Sequence, residues 1–501
     1  MLKVSSLTAR RKELNNCLTN ENFAFPAEML AFLRIRSVAL PAGNIRVLSS
    51  KLLSTKNGTD SIGSRSESTK AHYDIIIGGG GLVGTTLAAA LSSNPTLADK
   101  KVLLLEGAPE FKGFDPAGPY QNRVSAINKN SIELFKSIDA WSHIEAARYK
   151  PVKQMQVWES NTDALIQFQH DNFASDVACI IENDLILDAV YAKVKDAPNV
   201  EIQNKARIQC VRLPKDSQSQ LSELELQDGR TFSCDLLIGA DGANSVVRKE
   251  MGVDVFSLNY ERMGLVATLD LGDDACDNSV AWQRFLPTGP VALLPLTDRL
   301  SSLVWSTTNE QAKKLQCLPP NEFVDALNEA FCRQYPRVEL ADKAVQALNT
   351  FFGHNATQHQ VQYPPKVCGV KEKSRATFPL GFLHASSYVC SGAALVGDAA
   401  HRIHPLAGQG VNLGFSDVRY LVECLAAGAY AGFKLGDKQH LIKYERKCLK
   451  KNVPIMLGVH GLHTLYSTDF SPVVLFRSLG LQLTQNLPPI KNLFMRGAMG
   501  Q

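Results

Sequence analysis

The sequence predicts an α/β protein: a Rossmann-like dinucleotide-binding domain, an antiparallel-sheet domain interleaved into it, and a helical C-terminus. Three observations carry this expectation. Between Tyr73 and Leu91 an apolar run, a glycine-rich turn and an alanine-rich helical stretch follow one another, which is the order of a βαβ unit. Two further apolar strands, at 234–239 and 393–396, lead into Asp241 and Asp398 and glycine-containing turns. From about 255 to 383 the texture changes to alternating apolar runs separated by short turns, as antiparallel strands require.

With 501 residues the chain exceeds what one core organises, so two or more domains are expected. A net charge of +4 over that length indicates no nucleic-acid partner. No apolar run reaches about 18 residues, the length a membrane-spanning helix needs. The eleven cysteines stand singly, without a CxxC pair; this argues against a zinc site or a disulfide framework and fits a reducing compartment.

Residues 1–70 differ from the rest. From Met29 to Thr59 there is no acid, while Arg34, Arg36, Arg46, Lys51 and Lys56 alternate with Leu, Ile, Val and Ser. That is the composition of a mitochondrial transit peptide followed by a linker. Glu13, Glu21 and Glu28 break the pattern upstream, which leaves Met29 as an alternative start and an address-free tail as the alternative reading.

Residues 71–150 form the first part of the dinucleotide domain. In the GxGxxG turn, Gly79 makes the tight turn, Gly81 admits a pyrophosphate to the backbone, and Gly84 lets helix and strand pack closely. The helix N-terminus behind them offers free N–H groups to phosphates. Glu106, 22 residues after Gly84, ends the second strand where ribose hydroxyls can donate to it. Gln121 to Ile127 opens a helix through Ile138. Arg123 reads either as a phosphate or flavin contact or as a solvated surface arginine.

Residues 151–175 read as a hairpin, with Met155 and Val157 facing Ile166 and Phe168. Residues 176–254 return to the dinucleotide domain through a helix at 184–194, strands near Ile202, Val211 and 224–226, and an Asp228-Gly229 turn. The next strand ends at Asp241-Gly242, with Ser245 near the N-cap of a helix; ligands of open α/β sheets bind at such strand ends. Alone, this is also an ordinary strand–turn–helix.

Residues 255–384 supply strands at 265–271, 280–286, 291–296 and 303–306 and a helix at 321–331. The segment 354–375 reads as an exposed insertion. Residues 385–435 complete the dinucleotide domain with the longest motif: a strand, Gly397-Asp398, a loop holding Pro405, then Gly408, Gln409, Gly410, Val411 and Asn412 at the start of a helix. A single dinucleotide needs one phosphate-binding turn, so a second cradle indicates a longer, two-part cofactor. His401 and His404 invite a metal or acid–base reading, but Pro405 places them in a loop, where bonding the loop is the plainer role. No metal site and no catalytic side chain is assigned. Residues 436–501 are the helical C-terminus, with an apolar, acid-poor stretch from Pro472 onward that suits a membrane surface, a partner, or packing on the dinucleotide domain.

Together the three motifs, in this order, resemble the FAD-dependent aromatic hydroxylases of the para-hydroxybenzoate hydroxylase fold. Glu182-Asn183-Asp184-Leu185-Ile186 and the run from Phe285 to Leu296 make the chain most similar to the ubiquinone-biosynthesis monooxygenases, in their mitochondrial ring C5 hydroxylase branch. There is no arginine near residue 183, where many hydroxylases of the class have one. The resemblance implies FAD as cofactor. Gly79, Gly81 and Gly84 would hold the pyrophosphate, Glu106 the adenosine ribose, and Arg123 would contact the cofactor. Asp241-Gly242 would lie beside the pyrophosphate, Asp398 would bind the ribityl region, and Gly408 to Asn412 would face the flavin ring. It further implies hydroxylation of a polyprenylated 4-hydroxybenzoate by O₂ through a flavin C4a-hydroperoxide, with electrons from a ferredoxin and its reductase. Other ubiquinone-biosynthesis proteins and the matrix face of the mitochondrial inner membrane would be the partners. A flavin reductase or dehydrogenase acting on an isoprenoid, or a flavin-binding scaffold, are the alternatives.

Overall fold

The computed structural model describes residues 71–491 apart from 163, 170–175, 215–220, 273–276, 353–361, 407, 469, 488 and 490. The transit-peptide and linker expectation for 1–70 therefore lies outside the described residues, as do part of the 354–375 segment and the last ten residues of the tail.

The described chain opens with β1 (Ala71–Gly78), α1 (Leu82–Ser93), β2 (Val102–Leu105), β3 (Val124–Ile127), α2 (Lys129–Ser137) and α3 (Trp141–Ala147). It continues with β4 (Lys150–Val152), β5 (Gln154–Glu159), β6 (Leu165–Gln169), β7 (Ala178–Glu182) and α4 (Asn183–Lys195). Next come β8 (Val200–Gln203), β9 (Ile208–Arg212), β10 (Ser222–Leu226), β11 (Thr231–Gly239) and α5 (Val246–Glu250). The middle holds β12 (Val255–Asp270), β13 (Val280–Leu286), β14 (Gly289–Pro295), β15 (Leu300–Thr308), α6 (Asn309–Cys317), α7 (Pro320–Cys332), α8 (Glu339–Phe351), β16 (Gly369–Val370) and β17 (Ala376–Ala385). Finally come β18 (Val389–Cys390), β19 (Ala393–Leu395), a 3-10 turn (Gly397–Ala399), β20 (His401–Arg402), α9 (Gln409–Tyr430), α10 (Lys438–Tyr466) and α11 (Ser471–Asn486).

Two sheets dominate. In the first, the order is β18-β19-β11-β1-β2-β8, with β10 beside β11 and β9 beside β10. Its centre, β19-β11-β1-β2-β8, is parallel. Ile75, Ile76 and Ile77 and Leu236, Leu237 and Ile238 are fully buried, because helices cover both faces; this is why these strands read as unbroken apolar runs. The second sheet runs β20-β17-β12-β15-β14-β13-β5-β6. It is antiparallel except where β5 lies parallel to β13. Trp158, Trp282 and Trp305 pack with Phe323, Leu327 and Phe331 of α7 on one of its faces. A small third sheet has the order β3-β7-β4.

The predicted hairpin is present: Met155 pairs with Phe168 and Val157 with Ile166. It begins at Gln154, since Lys150–Val152 belongs to the small sheet. Four expectations are corrected. Residues 124–127 are strand, not the opening of a helix; Val124 and Ile127 pair with Glu182 and Cys179, and Asn128 starts the helix by accepting the Ser131 N–H at 3.0 Å. β12 begins ten residues before the predicted 265–271 strand; Ser257 and Asn259 dilute its apolar signal, and Glu261, at φ 53°, sits in a register shift against β17. Helices α6 and α8 flank the predicted one. The end of the supposed insertion is not exposed: Val367 is buried, and Gly369–Val370 pairs with β12.

The C-terminal helix α11 sits on the antiparallel side of the fold. Arg477 is buried and holds Glu159 of β5 at 3.0 Å, and Gln485 accepts the Gln167 N–H of β6 at 3.1 Å. Of the three alternatives for this stretch, packing on the dinucleotide domain is therefore not the one α11 follows.

Candidate functional site

The register of the parallel sheet brings three strand ends together. Gly78 stands opposite both Gly239 and Leu105, so the glycine turn, Glu106 and Asp241 emerge side by side. They border a cleft of about 570 Å³ lined by Gly79, Gly81, Glu106, Gly107, Ala108, Arg207, Gln227, Asp241, Gly242 and Asn244, among others.

The backbone explains the glycines. Gly79 has φ 110°, and a β-carbon there would lie 2.4 Å from the Ala240 carbonyl oxygen. One at Gly84 would lie 1.9 Å from the Gly79 oxygen; helix α1 abuts the turn too closely for any side chain. In front of Gly81 there is open space. Glu106 is held by two N–H groups, from Gly80 and from Ala108, each at 2.7 Å. Its carboxylate keeps lone pairs for further donors. Asp241 caps α5 by accepting the Val246 N–H at 2.7 Å. Its other oxygen is buried and has no partner, an unmet acceptor on the cleft wall.

The third motif meets the same sheet end through two ties and is held together by a buried acid. Val83, in the first turn of α1, would lie 2.7 Å from a β-carbon at Gly414 and 3.2 Å from one at Gly397. Arg248, buried behind Asp241-Gly242, donates to the Ala399 oxygen at 2.8 Å and to the Ala243 oxygen. Asp417, fully buried on α9, accepts the Gly397 N–H at 3.0 Å, the His401 ring at 2.6 Å and the Asn452 amide at 3.0 Å. Burial opposes a charged His401, but the Asp417 carboxylate outweighs it and raises the imidazole pKa.

Asp398 is accessible to solvent, yet enough protein surrounds it to raise its carboxyl pKa by desolvation, against His401 and Arg402. Exposure together with desolvation is what the wall of a concavity produces. Gly408, at φ 59°, precedes α9, whose first turn has no side-chain cap and no acid, so no side chain of that turn offsets its positive dipole end. Gln409 is buried, and Pro405, Gly410 and Val411 are half-buried. Asn412 is buried and fully engaged. Its oxygen accepts the Asn128 N–H and the Ser131 hydroxyl, and its amide donates to Ala126 and Gly408. It fixes the helix start rather than presenting a free group.

The structure thus gathers Gly79, Gly81, Glu106, Asp241 and Gly242 at one cleft, with Gly84 behind it. Asp398, Pro405 and 408–412 form a second group, joined to the first through Val83 and Arg248. Arg123 is exposed at the start of β3 and does not line the cleft. Sequence reasoning missed Arg207, Gln227 and Asn244 on the cleft wall, and Asp417 and Arg248 as ties. Among the described residues no group of three or more His, Cys, Asp or Glu could hold a metal ion. His401 bonds the loop through Asp417, whereas neither ring nitrogen of His404, also buried, has a partner.

Comparison with known proteins follows this geometry. The family described as FAD binding domain matches residues 72–361 and 367–452. The chain is 85% identical over 477 residues to the Drosophila melanogaster protein named ubiquinone biosynthesis monooxygenase COQ6, mitochondrial, covering 94% of this chain and all of that one. The Homo sapiens protein of the same name is 43% identical over 436 residues, covering 85% of this chain and 92% of that one. Among solved structures, PqsL of P. aeruginosa in complex with 2-aminobenzoylacetate superposes with a TM-score of 0.61 at 20% identity, over 81% of this chain and all of that one. The p-nitrophenol 4-monooxygenase PnpA of Pseudomonas putida gives 0.61 at 15% identity, over 85% and 97%. At such identities these two speak for the fold alone.

Proposed function

The chain belongs to the mitochondrial ubiquinone biosynthesis monooxygenases with an FAD-binding domain, and from that premise we propose how its residues divide the work and which ring position they serve. The protein is an FAD-dependent monooxygenase. Its proposed reaction is hydroxylation at C5 of the aromatic ring of a polyprenyl-4-hydroxybenzoate, using O₂ and electrons from a ferredoxin and its reductase. What supports the monooxygenase reading is 85% identity over 94% of the chain with a protein named ubiquinone biosynthesis monooxygenase, on a fold whose three motifs are tied at one sheet end; the ring position and the electron donor are proposed beyond that.

In this reading Gly79, Gly81 and Gly84 let the pyrophosphate approach the N-terminus of α1, and Glu106 accepts from the adenosine ribose. Asp241 and Gly242 border the pyrophosphate, Asp398 takes the ribityl end, and Arg123 reaches the cofactor from the start of β3. The open space in front of Gly81 and the absence of a side-chain cap on α1 support the pyrophosphate's place there. The N-terminus of α9, with Pro405 and Gly408 to Asn412, faces the ring, where its dipole favours negative charge. When bound, the flavin supplies the two-electron activation of O₂. The chain's own contribution is to orient the aromatic ring and exclude water, for which the antiparallel sheet is the wall.

A polyprenyl tail is insoluble, so the protein works at the matrix face of the mitochondrial inner membrane, with other proteins of the same biosynthesis. No helix among the described residues is long and apolar enough to cross a membrane. Helix α11 contains no acid and exposes Phe476 and Leu483, which suits a lipid surface.

Anaerobic titration of the purified flavoprotein tests the donor: reduced ferredoxin should bleach the flavin absorbance fully and NADPH should not. Full reduction by NADPH alone contradicts the assignment, and a product hydroxylated elsewhere than C5 contradicts the ring position.

A further inference from the structure

Between β12, the loop before α9 and the C-terminal half of α10 lies a cluster of polar rings that the proposed cofactor contacts do not use. Tyr260 donates or accepts at 2.9 Å with His460 Nδ1. Its ring centroid is 4.2 Å from that of His463 and 5.4 Å from that of His404. His404 and His463 are 4.8 Å apart, centroid to centroid. His404 is 1% exposed with both ring nitrogens unpartnered, and the buried Nε2 of His463 has no partner either. Arg262, two residues beyond Tyr260 on β12, acts electrostatically on both His404 and His463, and its guanidinium donates to the Thr288 oxygen. Among the described residues no carboxylate lies within ion-pair distance of it.

This is an unbalanced site. Burial lowers the pKa of all three histidines and of Arg262, so the imidazoles are neutral and the guanidinium is the charge that remains. A half-buried cation without a counter-ion is costly, and so are buried ring nitrogens without hydrogen bonds. One ligand relieves both: an anionic oxygen that takes the planar guanidinium fork and the N–H that either imidazole can present. Tyr260 and His463 add an aromatic wall beside it. His404 immediately precedes Pro405 in the loop proposed above to face the flavin ring. On that reading the cluster borders the reacting end of the cofactor.

We propose that Arg262, with His404 and His463, is a recognition site for the anionic oxygen of the aromatic substrate, its carboxylate or its phenolate. The inference rests on the aromatic-substrate reading given above. The test is equilibrium titration of the FAD-loaded enzyme, followed by flavin absorbance, with three short-chain probes: geranyl-4-hydroxybenzoate, geranylphenol and geranylbenzoate.

Arg262→Gln should weaken binding of the probes bearing the recognised group by at least about tenfold, as loss of a charge-assisted hydrogen bond requires, and leave the third probe unchanged. Selective loss with the two acids assigns the carboxylate; selective loss with the two phenols, at a pH that ionises them, assigns the phenolate. FAD content and thermal midpoint report folding. Should Arg262→Gln not retain flavin, His463→Gln carries the same comparison. Equal weakening of all probes, or none, overturns the proposal, and the partnerless nitrogens then hold only water. A wild-type enzyme that binds none of the three overturns the aromatic-substrate reading, and this site with it.

Discussion

At Gly84 a β-carbon would fall 1.9 Å from the Gly79 oxygen, so even alanine must push α1 off the turn. Gly84→Ala should therefore purify without flavin, read as the ratio of 450 nm to 280 nm absorbance (about zero against a flavin-loaded wild type). Stoichiometric FAD in that variant contradicts the close-packing role. Such glycines were legible in the sequence because their constraint is local: strand, turn and helix supply all the atoms that crowd them. Asp417 and Arg248 were not legible. Asp417 acts on Gly397 and His401, on the far side of a loop, and Arg248 acts on Ala399, 151 residues away. Nothing in a linear pattern distinguishes them from any helical acid or arginine. Asn412 shows the converse: it was legible as part of a motif, but its hydrogen bonds go to the protein.

Among elements, α11 depends most on a single pair. Arg477 and Glu159 are both buried, 3.0 Å apart, and the guanidinium also takes the Leu465 and Thr468 oxygens. Arg477→Met leaves Glu159 as a buried charge without its cation, which should cost about 3–5 kcal/mol. Arg477→Met with Glu159→Gln should recover part of that loss. Denaturant unfolding of the three proteins checks both, and a single variant within about 0.5 kcal/mol of wild type contradicts the anchoring role. The sequence showed α11 as an apolar, acid-poor helix but not where it docks, because its partner Glu159 lies some 318 residues earlier. β3 and the first half of β12 failed for another reason: short or polar-diluted strands depend on their neighbours, and only pairing with β7 and β17 defines them.

For the whole molecule, buried histidines set the response to acid. His384, His460 and His463 are each lowered from 6.5 to about 4, burial being the main cause. The unfolded chain binds these protons near 6.5 and the folded chain does not until about 4. Their contribution to stability is thus complete above 6.5 and is lost as pH falls from 6.5 to about 4. His401, raised by Asp417 against its burial, has the opposite sign: its contribution is full below 6.5 and fades as pH rises through its folded value. His404, lowered further still by burial, acts in the same direction as the first three, so with four histidines against one the thermal midpoint should drop between pH 6.5 and 4, and His463→Gln should make that slope shallower. A flat or rising midpoint contradicts this.

The two-sheet architecture was legible because each sheet writes its own pattern: continuous apolar runs where helices cover both faces, alternation where one face is packed. The interleaving was legible only through the order of the motifs. His401–Arg402, read as part of the dinucleotide domain, adds an edge strand to the antiparallel sheet by pairing with β17, so one short loop serves both halves. In the proposed function the two halves serve one ring hydroxylation by O₂, and isotope tracing tests that proposal most directly. The reduced enzyme is given ¹⁸O₂ and geranyl-4-hydroxybenzoate, and the product is analysed by mass spectrometry. One ¹⁸O atom on the ring is the predicted result; an unlabelled product, with the label appearing only in hydrogen peroxide or water, would contradict it.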